Sequence, residues 1–404
     1  MTKIEEYTPI VGQAVIDELR LLGERLAGRR IKNVNSTAVG GGVAEILMRM
    51  IPLLGQLGVN AEWDVIRGDD HFFVITKKFH NALHGVHEQI LDEDLAYFLE
   101  INRQNASTMD LDCDILFIHD PQPVALIEHK RGGRWLWRCH IDFSRPDERV
   151  WAFLKGYVSR YDGAVFSAPS FARMLGIRQI LISPSIDPLS NKNRELSDEQ
   201  VNEVLDRFGI QRDKPIITQI SRFDYLKDPL GVVKAYQLVK EHLDCQLVLA
   251  GGGATDDPEG AQVLAEVQQA AAGDPDVFIL FLPPASDLEI NALQRASDVV
   301  LQKSLREGFG LTVSEALWKG KPVIASAVGG IPLQIAHKYS GILTHSVEGT
   351  AYWIKQLLQA PDFARKLGQN GREHVRNNFL ITRHVREYLL AFLAMEHRGD
   401  VIQL

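Results

Sequence analysis

Short apolar runs that are rich in β-branched residues alternate with longer amphipathic stretches along almost the whole chain. This alternation is typical of a parallel sheet whose strands are joined by covering helices. Six such runs lie in the first half of the sequence: IKNVNS, AEWDVIRG, ILFIHD, LWRCHID, GAVFSA and QILIS. Five more lie in the second half: PIITQIS, QLVLAGGG, VFILFLP, DVVLQKS and KPVIAS. The sequence therefore predicts an α/β protein with a parallel sheet in each half.

A polar segment separates the two sets of strands. The segment SPSIDPLSNKNREL, residues 183–196, is rich in Pro, Ser and Asn, as expected of a linker. A chain of 404 residues is also longer than one hydrophobic core usually supports. We predict two doubly wound, Rossmann-like domains, the first formed by residues 1–188 with a C-terminal helix at 382–404, and the second by residues 189–381. Such sheets bind ligands outside the carboxyl ends of their strands, so we expect a site in a cleft across which the domains face each other.

The composition excludes several classes of partner. A formal net charge of -8 argues against nucleic acid, because phosphate-backbone binding needs a basic surface. The three cysteines are far apart and form no CxxC pair, which favours reduced thiols over a disulfide framework. No run of about 18 apolar residues is present, and the N-terminus lacks the apolar core of a secretory signal. We expect a cytoplasmic protein that does not bind membranes.

A glycine-rich turn follows the first predicted strand. Gly40, Gly41 and Gly42 precede an amphipathic stretch, so their amides and the helix N-terminus could face a diphosphate. A tight strand-to-helix turn without a ligand explains the same residues equally well. The turn is not a dinucleotide fingerprint, because the last position of the G-x-G-x-x-G frame is Glu45.

A second glycine turn lies in LREGFGLTVSEALWKGKPVIAS, residues 305–326. It places Glu307 before the turn and Glu315 in the helix that follows. The structural alternative is a capping box between Thr312 and Glu315, with Glu307 as a solvated loop residue. The functional interpretation is that Glu307 faces a sugar and Glu315 accepts hydrogen bonds from the vicinal hydroxyls of a ribose, a task that suits carboxylates.

Two cations follow the first strand of the second half. Arg222 and Lys227 lie in ITQISRFDYLKDP, just past the strand, where they could neutralise the charge on a departing diphosphate. The alternative is a surface pair with Asp224 or Asp228, which would carry no function.

Polar residues also end two strands of the first half. His119 and Asp120 end one strand, and His140 and Asp142 end the next. A single strand-end histidine is often a satisfied core residue, but two such sets favour a polar pocket for a hydroxyl-rich substrate.

Two patterns resemble metal sites and are set aside. The histidines at positions 80, 84 and 87 could line a helical face, but no fourth ligand is identifiable and Gly85 weakens the helix. The D-x-D pattern of DLDCD precedes a strand, on the side of the sheet away from ligands. We predict no dedicated metal site.

Taken together, these stretches resemble a known superfamily. A glutamate in an REGFG-type turn with a second glutamate eight positions on, the Arg222 and Lys227 spacing and the GGGVAEIL turn are similar to retaining glycosyltransferases of the GT-B architecture. More narrowly, VNSTAVGGGVAEIL, FHNALHG, HDPQP, LWRCHID, PSIDPLS and DDPEG resemble the trehalose glycosyltransferring synthases. The resemblance runs from about Ile31 to NFLITRHVREYL near the C-terminus, whereas the residues before Ile31 match no motif of the family.

The resemblance implies a role for each donor-side residue. Glu307 would contact the donor glucose, Glu315 the nucleotide ribose, and Arg222 with Lys227 the diphosphate. Backbone amides would cradle the phosphate and the sugar, at Gly41, Gly42, Gly308, Phe309, Gly310 and Leu311.

In the first half of the chain, the resemblance implies that His140 lies against the donor sugar near the scissile bond. Asp120, with the adjoining His119, would bind the acceptor. Glu307, His140, Arg222 and Lys227 would then form the catalytic set.

The reaction that the resemblance implies is the reversible transfer of glucose from ADP-glucose or UDP-glucose to free glucose, which forms α,α-trehalose with retention of configuration. The family mechanism is a front-face displacement in which the leaving phosphate takes the acceptor's proton. No cofactor is required, although Mg²⁺ could assist. The alternatives are a trehalose phosphorylase, a sucrose-forming synthase or a non-catalytic nucleotide-sugar-binding protein. The sequence leaves open the base and whether the chain forms a homodimer.

Overall fold

The chain divides into two compact units. The computed structural model describes residues 2–38, 42–252, 258–283 and 285–396. One unit comprises Met1–Ser185 with Ile381–Leu404, and the other comprises Ile186–Leu380. Each unit has a six-stranded sheet in which all strands are parallel. The prediction of two α/β units with parallel sheets is therefore confirmed.

The sheet of the first unit has the strand order β2-β1-β3-β4-β5-β6. Its strands are β1 (Arg30–Asn35), β2 (Asn60–Val65), β3 (Ile115–His119), β4 (Arg134–Cys139), β5 (Gly163–Phe166) and β6 (Arg178–Leu181). The chain runs from β1 to β2 on one side and then returns to place β3 on the other side of β1. The carboxyl ends of β1 and β3 therefore form the topological switch point, where such sheets bind ligands.

The helices of the first unit are α1 (Thr8–Val11), α2 (Gln13–Arg25), α3 (Gly42–Gln56), α4 (Asp70–Leu83), α5 (Asp92–Thr108) and α6 (Glu148–Val158). Aspartates cap two of them. The side chain of Asp69 accepts from the amide of Phe72 at the start of α4, and Asp147 does the same for the first amides of α6. Each cap satisfies helix-end donors that have no partner inside the helix.

The sheet of the second unit has the order β12-β11-β10-β7-β8-β9. Its strands are β7 (Ile216–Ile220), β8 (Gln246–Gly251), β9 (Val277–Phe281), β10 (Val299–Gln302), β11 (Val323–Ser326) and β12 (Ile342–Thr344). The first five correspond to the predicted runs, and β12 was not predicted. Because β8 and β10 lie on opposite sides of β7, the switch point of this sheet lies at the carboxyl ends of β7 and β10.

Helices cover both faces of the second sheet. They are α7 (Asp198–Phe208), α8 (Pro229–Lys240), α9 (Pro258–Ala270), α10 (Asp287–Ala296), α11 (Leu311–Trp318), α12 (Ile331–Gln334), α13 (Val347–Gln359) and α14 (Pro361–Asn378). Alternate strand residues form two separate cores: Ile217 and Leu247 pack with α8, whereas Ile216 and Val248 pack with residues of α7 and α10. This period of two is what a strand buried on both faces requires.

The last helix, α15 (Ile381–Glu396), returns to the first unit and packs against α2 and α3. No helix among the described residues combines the length and the apolar character that a membrane span needs.

The segment predicted as a linker is packed rather than free. Ile186 forms a bridge with Leu380, and its amide donates to the carbonyl of Phe379. Asn193 is buried, and its side chain donates to the carbonyl of Asp187. The part of this segment that follows Ser185 therefore packs within the second unit, with Asp187, Ser190 and Asn193 buried.

The N-terminal residues before Ile31, which match no family motif, belong to the core of the first unit. Ile16, Leu19 and Leu22 of α2 are fully buried. A Cβ atom on Gly23 would lie only 2.2 Å from the carbonyl oxygen of Leu57. The helix therefore approaches the end of α3 at a distance that only glycine allows.

The close approach of α2 gives a first prediction. Gly23→Ala is expected to lower the free energy of unfolding by about 1–3 kcal/mol, because the added methyl group overpacks this contact. The matched control is Gly156→Ala in α6, where a Cβ would meet nothing within 4 Å. It should be neutral or stabilising by up to about 1 kcal/mol, because alanine favours the helix. Urea unfolding of both variants is the measurement, and equal effects would contradict the packing of α2.

Candidate active site

Glu307 and Lys227 meet at the switch point of the second sheet. Lys227 lies in the loop after β7 and Glu307 in the turn after β10. The Nζ atom of Lys227 is 2.6 Å from Oε2 of Glu307, and both side chains are largely buried. A buried ion pair is stable only when further hydrogen bonds satisfy the charges. Gln302 and Ser304 supply them, since each donates to the same oxygen, at 3.2 and 3.1 Å.

The turn after Glu307 leads directly into α11. Gly310 has φ of +80°, a conformation that favours glycine, and Leu311 begins the helix. The first amides of a helix have no acceptors within it and can face an anion. The predicted cradle of Gly308, Phe309, Gly310 and Leu311 therefore lies at the start of a helix, next to the Lys227–Glu307 pair.

A second glycine pair supports this turn from the loop after β11. A Cβ atom on Gly329 would lie 1.6 Å from the carbonyl oxygen of Glu307, and one on Gly330 would lie 2.7 Å from that of Gly308. Gln334 completes the support, because its buried side-chain amide donates to the carbonyls of Phe309 and Gly310. The conformation of the turn is therefore fixed by its neighbours as well as by its own glycines.

The two predicted cations differ in their surroundings. Arg222 is half exposed and pairs with Asp224 at 3.2 Å, which is the surface pair considered as the alternative. Such a pair contributes little free energy, so the guanidinium can exchange it for a phosphate. Lys227 pairs with Glu307 instead of Asp228, because Asp228 is bound by Lys303 at 2.7 Å.

The proposed capping box between Thr312 and Glu315 is wrong. The helix begins at Leu311 with Gly310 as its N-cap, so Thr312 already lies inside the first turn. Its hydroxyl donates to Oε1 of Gln302 at 2.7 Å. Glu315 is therefore not explained by capping, although its side chain is only 4% exposed.

Two lysines lie beside Glu315. The Nζ atom of Lys192 is 4.0 Å from Oε1 of Glu315. Lys319 donates to the backbone carbonyl of Glu315 at 3.2 Å and to the side chain of Asn193 at 3.0 Å. Burial lowers the pKa of Lys319, while the charge of Glu315 opposes that shift. The carboxylate thus lies in a buried, polar part of the second unit.

In the first unit, His119, Asp120 and His140 form one cluster at the ends of β3 and β4. The Nδ1 atom of His119 is 3.1 Å from Nε2 of His140. Asp120 accepts a hydrogen bond from the amide of His140 at 2.8 Å. Asp120 has φ of +66°, an unusual conformation outside glycine that often marks functional sites. Asp142 lies apart from this arrangement and accepts from the amide of Ser144.

Arg138 is the charged neighbour of this cluster. Its side chain is fully buried, with Nε 3.1 Å from Nε2 of His140 and Nη2 donating to the carbonyl of Ile182. Burial, followed by the charge of Arg138, lowers the pKa of both His119 and His140 well below the usual value, so both rings are neutral. Burial also raises the pKa of Asp120 to about 7, although the amide of His140 and Arg138 oppose this shift.

The predicted glycine turn of the first unit lies mostly outside the described residues. This holds for Gly40 and Gly41, whereas Gly42 is the first residue of α3.

The described residues contain no group of three or more His, Cys, Asp or Glu side chains placed to hold a metal ion. The rings of His80 and His84 lie 4.6 Å apart. His87 is almost fully exposed and contacts Asp147 at 3.3 Å.

Several residues of the site were not found from the sequence. Gln302, Ser304, Gln334 and Arg138 are all buried and contact a predicted site residue or its backbone. For Gln302 and Arg138 the available signal was a polar residue at or near the end of an apolar strand run, as in DVVLQ and LWRC. That signal marks a buried polar side chain without identifying its partner.

Family models match both halves of the chain. Residues 33–173 match the model described as "Trehalose synthase, N-terminal domain", and residues 201–374 match "Glycosyl transferases group 1". The trehalose synthase of Pyrococcus horikoshii is 44% identical over 394 residues, which covers 96% of this chain and 95% of that protein. The trehalose synthase of Rubrobacter xylanophilus is 44% identical over 403 residues, which covers 96% of each.

A solved structure shares the fold. The α,α-trehalose-phosphate synthase (UDP-forming) of Burkholderia xenovorans, in complex with glucose-6-phosphate, matches with a TM-score of 0.73 at 14% identity, over 90% of this chain and 100% of that chain. At this identity the likeness shows the fold, which is the predicted GT-B architecture. Because the sequence identity to the trehalose synthases extends over nearly the whole length of both chains, this chain belongs to the trehalose synthase family of glycosyltransferases.

Proposed function

We propose that this chain transfers glucose from a nucleoside-diphosphate glucose, ADP-glucose or UDP-glucose, to free glucose and so forms α,α-trehalose with retention of configuration. The observation that carries the proposal is the buried Lys227–Glu307 pair, 2.6 Å apart, beside the start of α11. A carboxylate for sugar hydroxyls and a cation for phosphate are the two groups that a sugar nucleotide needs at its scissile bond.

The donor is bound by the second unit. The diphosphate faces Lys227, Arg222 and the first amides of α11, which stabilise the negative charge that develops as the bond breaks. Glu307 accepts from hydroxyls of the transferred glucose, and Glu315 accepts from the ribose. The leaving phosphate takes the proton of the attacking hydroxyl, so the reaction needs no separate base and no dedicated metal.

The acceptor is bound by the first unit. Asp120 accepts from acceptor hydroxyls, and His119 lies against it in the same cluster. His140 is neutral, so it can donate a hydrogen bond to a sugar without placing a second positive charge beside Arg138. Support for a sugar acceptor also comes from the Burkholderia xenovorans enzyme, whose structure holds glucose-6-phosphate.

The proposal predicts that Glu307 and its partner are essential for transfer. Purified protein with ADP-glucose or UDP-glucose and ¹³C-labelled glucose should form an α,α-linked disaccharide, detected by NMR at its anomeric carbons. Glu307→Gln and Lys227→Met should each lower kcat about 10²- to 10³-fold, because each removes a preorganised charge. Glu203→Gln changes an exposed glutamate of α7 and should leave kcat unchanged.

The same assay separates the alternatives. Addition of EDTA should leave the rate unchanged, and a requirement for a metal would contradict the mechanism. Trehalose with inorganic phosphate should give no glucose 1-phosphate, which a phosphorylase would release. Maltose alone should give no trehalose. Nucleotide-sugar binding without transfer to glucose or fructose would identify a binding protein and overturn the proposal.

The role of Glu315 gives a separate prediction. Glu315→Gln should raise KM for the nucleotide sugar about 10-fold or more, because a hydrogen bond to a charged group is lost, and change kcat less. The matched comparison uses a donor with 2′-deoxyribose, for which the variant and the wild type should differ much less. Equal losses with both donors would show that Glu315 does not bind the 2′-hydroxyl of the ribose.

Asp120 predicts a dependence on pH. Only the ionised carboxylate accepts from acceptor hydroxyls with both oxygens, so KM for glucose should fall as pH rises through about 7. The folded chain holds this proton more tightly than the unfolded chain, whose aspartate pKa is about 4. The free energy of unfolding should therefore decrease as the pH rises from about 4 to about 7. Asp120→Asn keeps an acceptor for the amide of His140 and should abolish both dependences. A pH-dependent KM in this variant would assign the titration to another group.

A further inference from the structure

Gln302 is the last residue of β10, and its side chain lies between Glu307 and α11. Only 2% of the residue is exposed. Its amide nitrogen donates to Oε2 of Glu307 at 3.2 Å and to the hydroxyl of Ser304 at 2.9 Å. Its amide oxygen accepts from the hydroxyl of Thr312 at 2.7 Å. All the polar atoms of this buried amide therefore have partners, as a stable polar network requires.

The orientation of this amide follows from the charge of Glu307. A carboxylate paired with an ammonium group is ionised and can only accept, so the nitrogen end of Gln302 must face it. The oxygen end then faces Thr312, whose hydroxyl must donate. Ser304 accepts from Gln302 and donates to Glu307 at 3.1 Å, which closes a three-residue ring.

The network engages only one of the two oxygens of Glu307. Lys227, Gln302 and Ser304 all donate to Oε2. No described residue donates to Oε1. Three donors on one oxygen fix the rotation of the carboxylate and leave Oε1 as the oxygen that can accept from a ligand.

We propose that Gln302 is a positioning residue, which holds Glu307 with Oε1 turned to the transferred sugar and ties it to the first turn of α11 through Thr312. This inference rests on the proposed role of Glu307 as the sugar-binding carboxylate. Because Thr312 lies next to Leu311, the amides at the start of α11 and the carboxylate are held by one chain of hydrogen bonds. The diphosphate and the sugar of one donor are therefore bound by a single rigid unit.

Removal of the amide tests this role. Gln302→Leu keeps the approximate volume and should lower kcat about 10- to 100-fold, because one donor to a charged group is lost. The Kd for the free nucleoside diphosphate should change less than about 3-fold, because Gln302 makes no direct hydrogen bond to Lys227, Arg222 or the first amides of α11. A rise in Kd equal to the fall in kcat would overturn the assignment.

The matched control is Gln246→Leu. Gln246 is a fully buried glutamine at the opposite, amino-terminal end of β8, where it bonds to the backbone of Gln211 and Lys214. It should lower Tm to a similar extent while kcat stays within about 2-fold of the wild type. An equal loss of kcat in both variants would mean that the loss follows from general destabilisation of the unit, and the positioning role of Gln302 would be overturned.

A pH signature separates positioning from packing. Gln302→Glu places a second carboxyl beside Glu307, and two such groups share one proton whose pKa is raised. The protonated form restores a donor to Glu307 and an acceptor for Thr312. The activity of this variant relative to wild type should therefore rise several-fold from pH 8 to pH 5.5, whereas that of Gln302→Leu should stay constant. A constant ratio for Gln302→Glu would overturn the proposal.

A double-mutant cycle tests the network without the reaction. Gln302→Leu and Thr312→Val remove two ends of one hydrogen bond, so the loss of Tm in the double variant should be smaller than the sum of the single losses. Additive losses would overturn the network even in an active enzyme. If the wild type transfers glucose from no nucleotide sugar, the proposed function fails, and this cycle then still decides whether Gln302 is tied to the first turn of α11 through Thr312.

Discussion

A carboxylate and an ammonium group buried next to each other determine how the turn after β10 is built. Taking two charges out of water costs free energy, and the 2.6 Å contact between Lys227 and Glu307 offsets that cost only with additional donors. The sheet supplies them at the end of β10, and the loop after β11 presses its glycines against the same turn. The local conformation around residue 307 is thus a consequence of keeping one ion pair buried and satisfied.

The first unit handles burial of charge differently. Arg138 is enclosed by β4, its neighbouring strands and the imidazoles of His119 and His140, and these rings stay neutral beside it. The backbone of Asp120 has a left-handed conformation, and burial raises the pKa of its carboxyl group, which favours the protonated form. The buried Arg138 of the first unit is therefore surrounded by neutral imidazoles, whereas Lys227 of the second unit is paired with a carboxylate.

The sequence predicted the features that depend on local pattern. Eleven strands were predicted because apolar residues recur within each short run, whereas β12 was missed because Ile342–Thr344 is only three residues long. Segment 183–196 looked like a linker because it is rich in Pro, Ser and Asn. Composition does not show that such polar residues can be buried when they bond to one another, as the side chain of Asn193 does with the carbonyl of Asp187. Thr312 and Glu315 matched a capping box by spacing, but the helix begins at Leu311, two residues too early for Thr312 to be its N-cap. The supporting role of Gln302 depends on contacts across the fold, and no spacing in the sequence encodes them.

Gly329 carries no functional group, yet the site depends on it. The Cβ atom of any larger residue at this position would occupy the space of the carbonyl group of Glu307, which lies 22 positions earlier in the chain. A substitution at this position would therefore require a distant turn to move. A protein engineer who remodelled residues 308–311 would have to redesign the loop after β11 at the same time, because the two segments pack directly against each other.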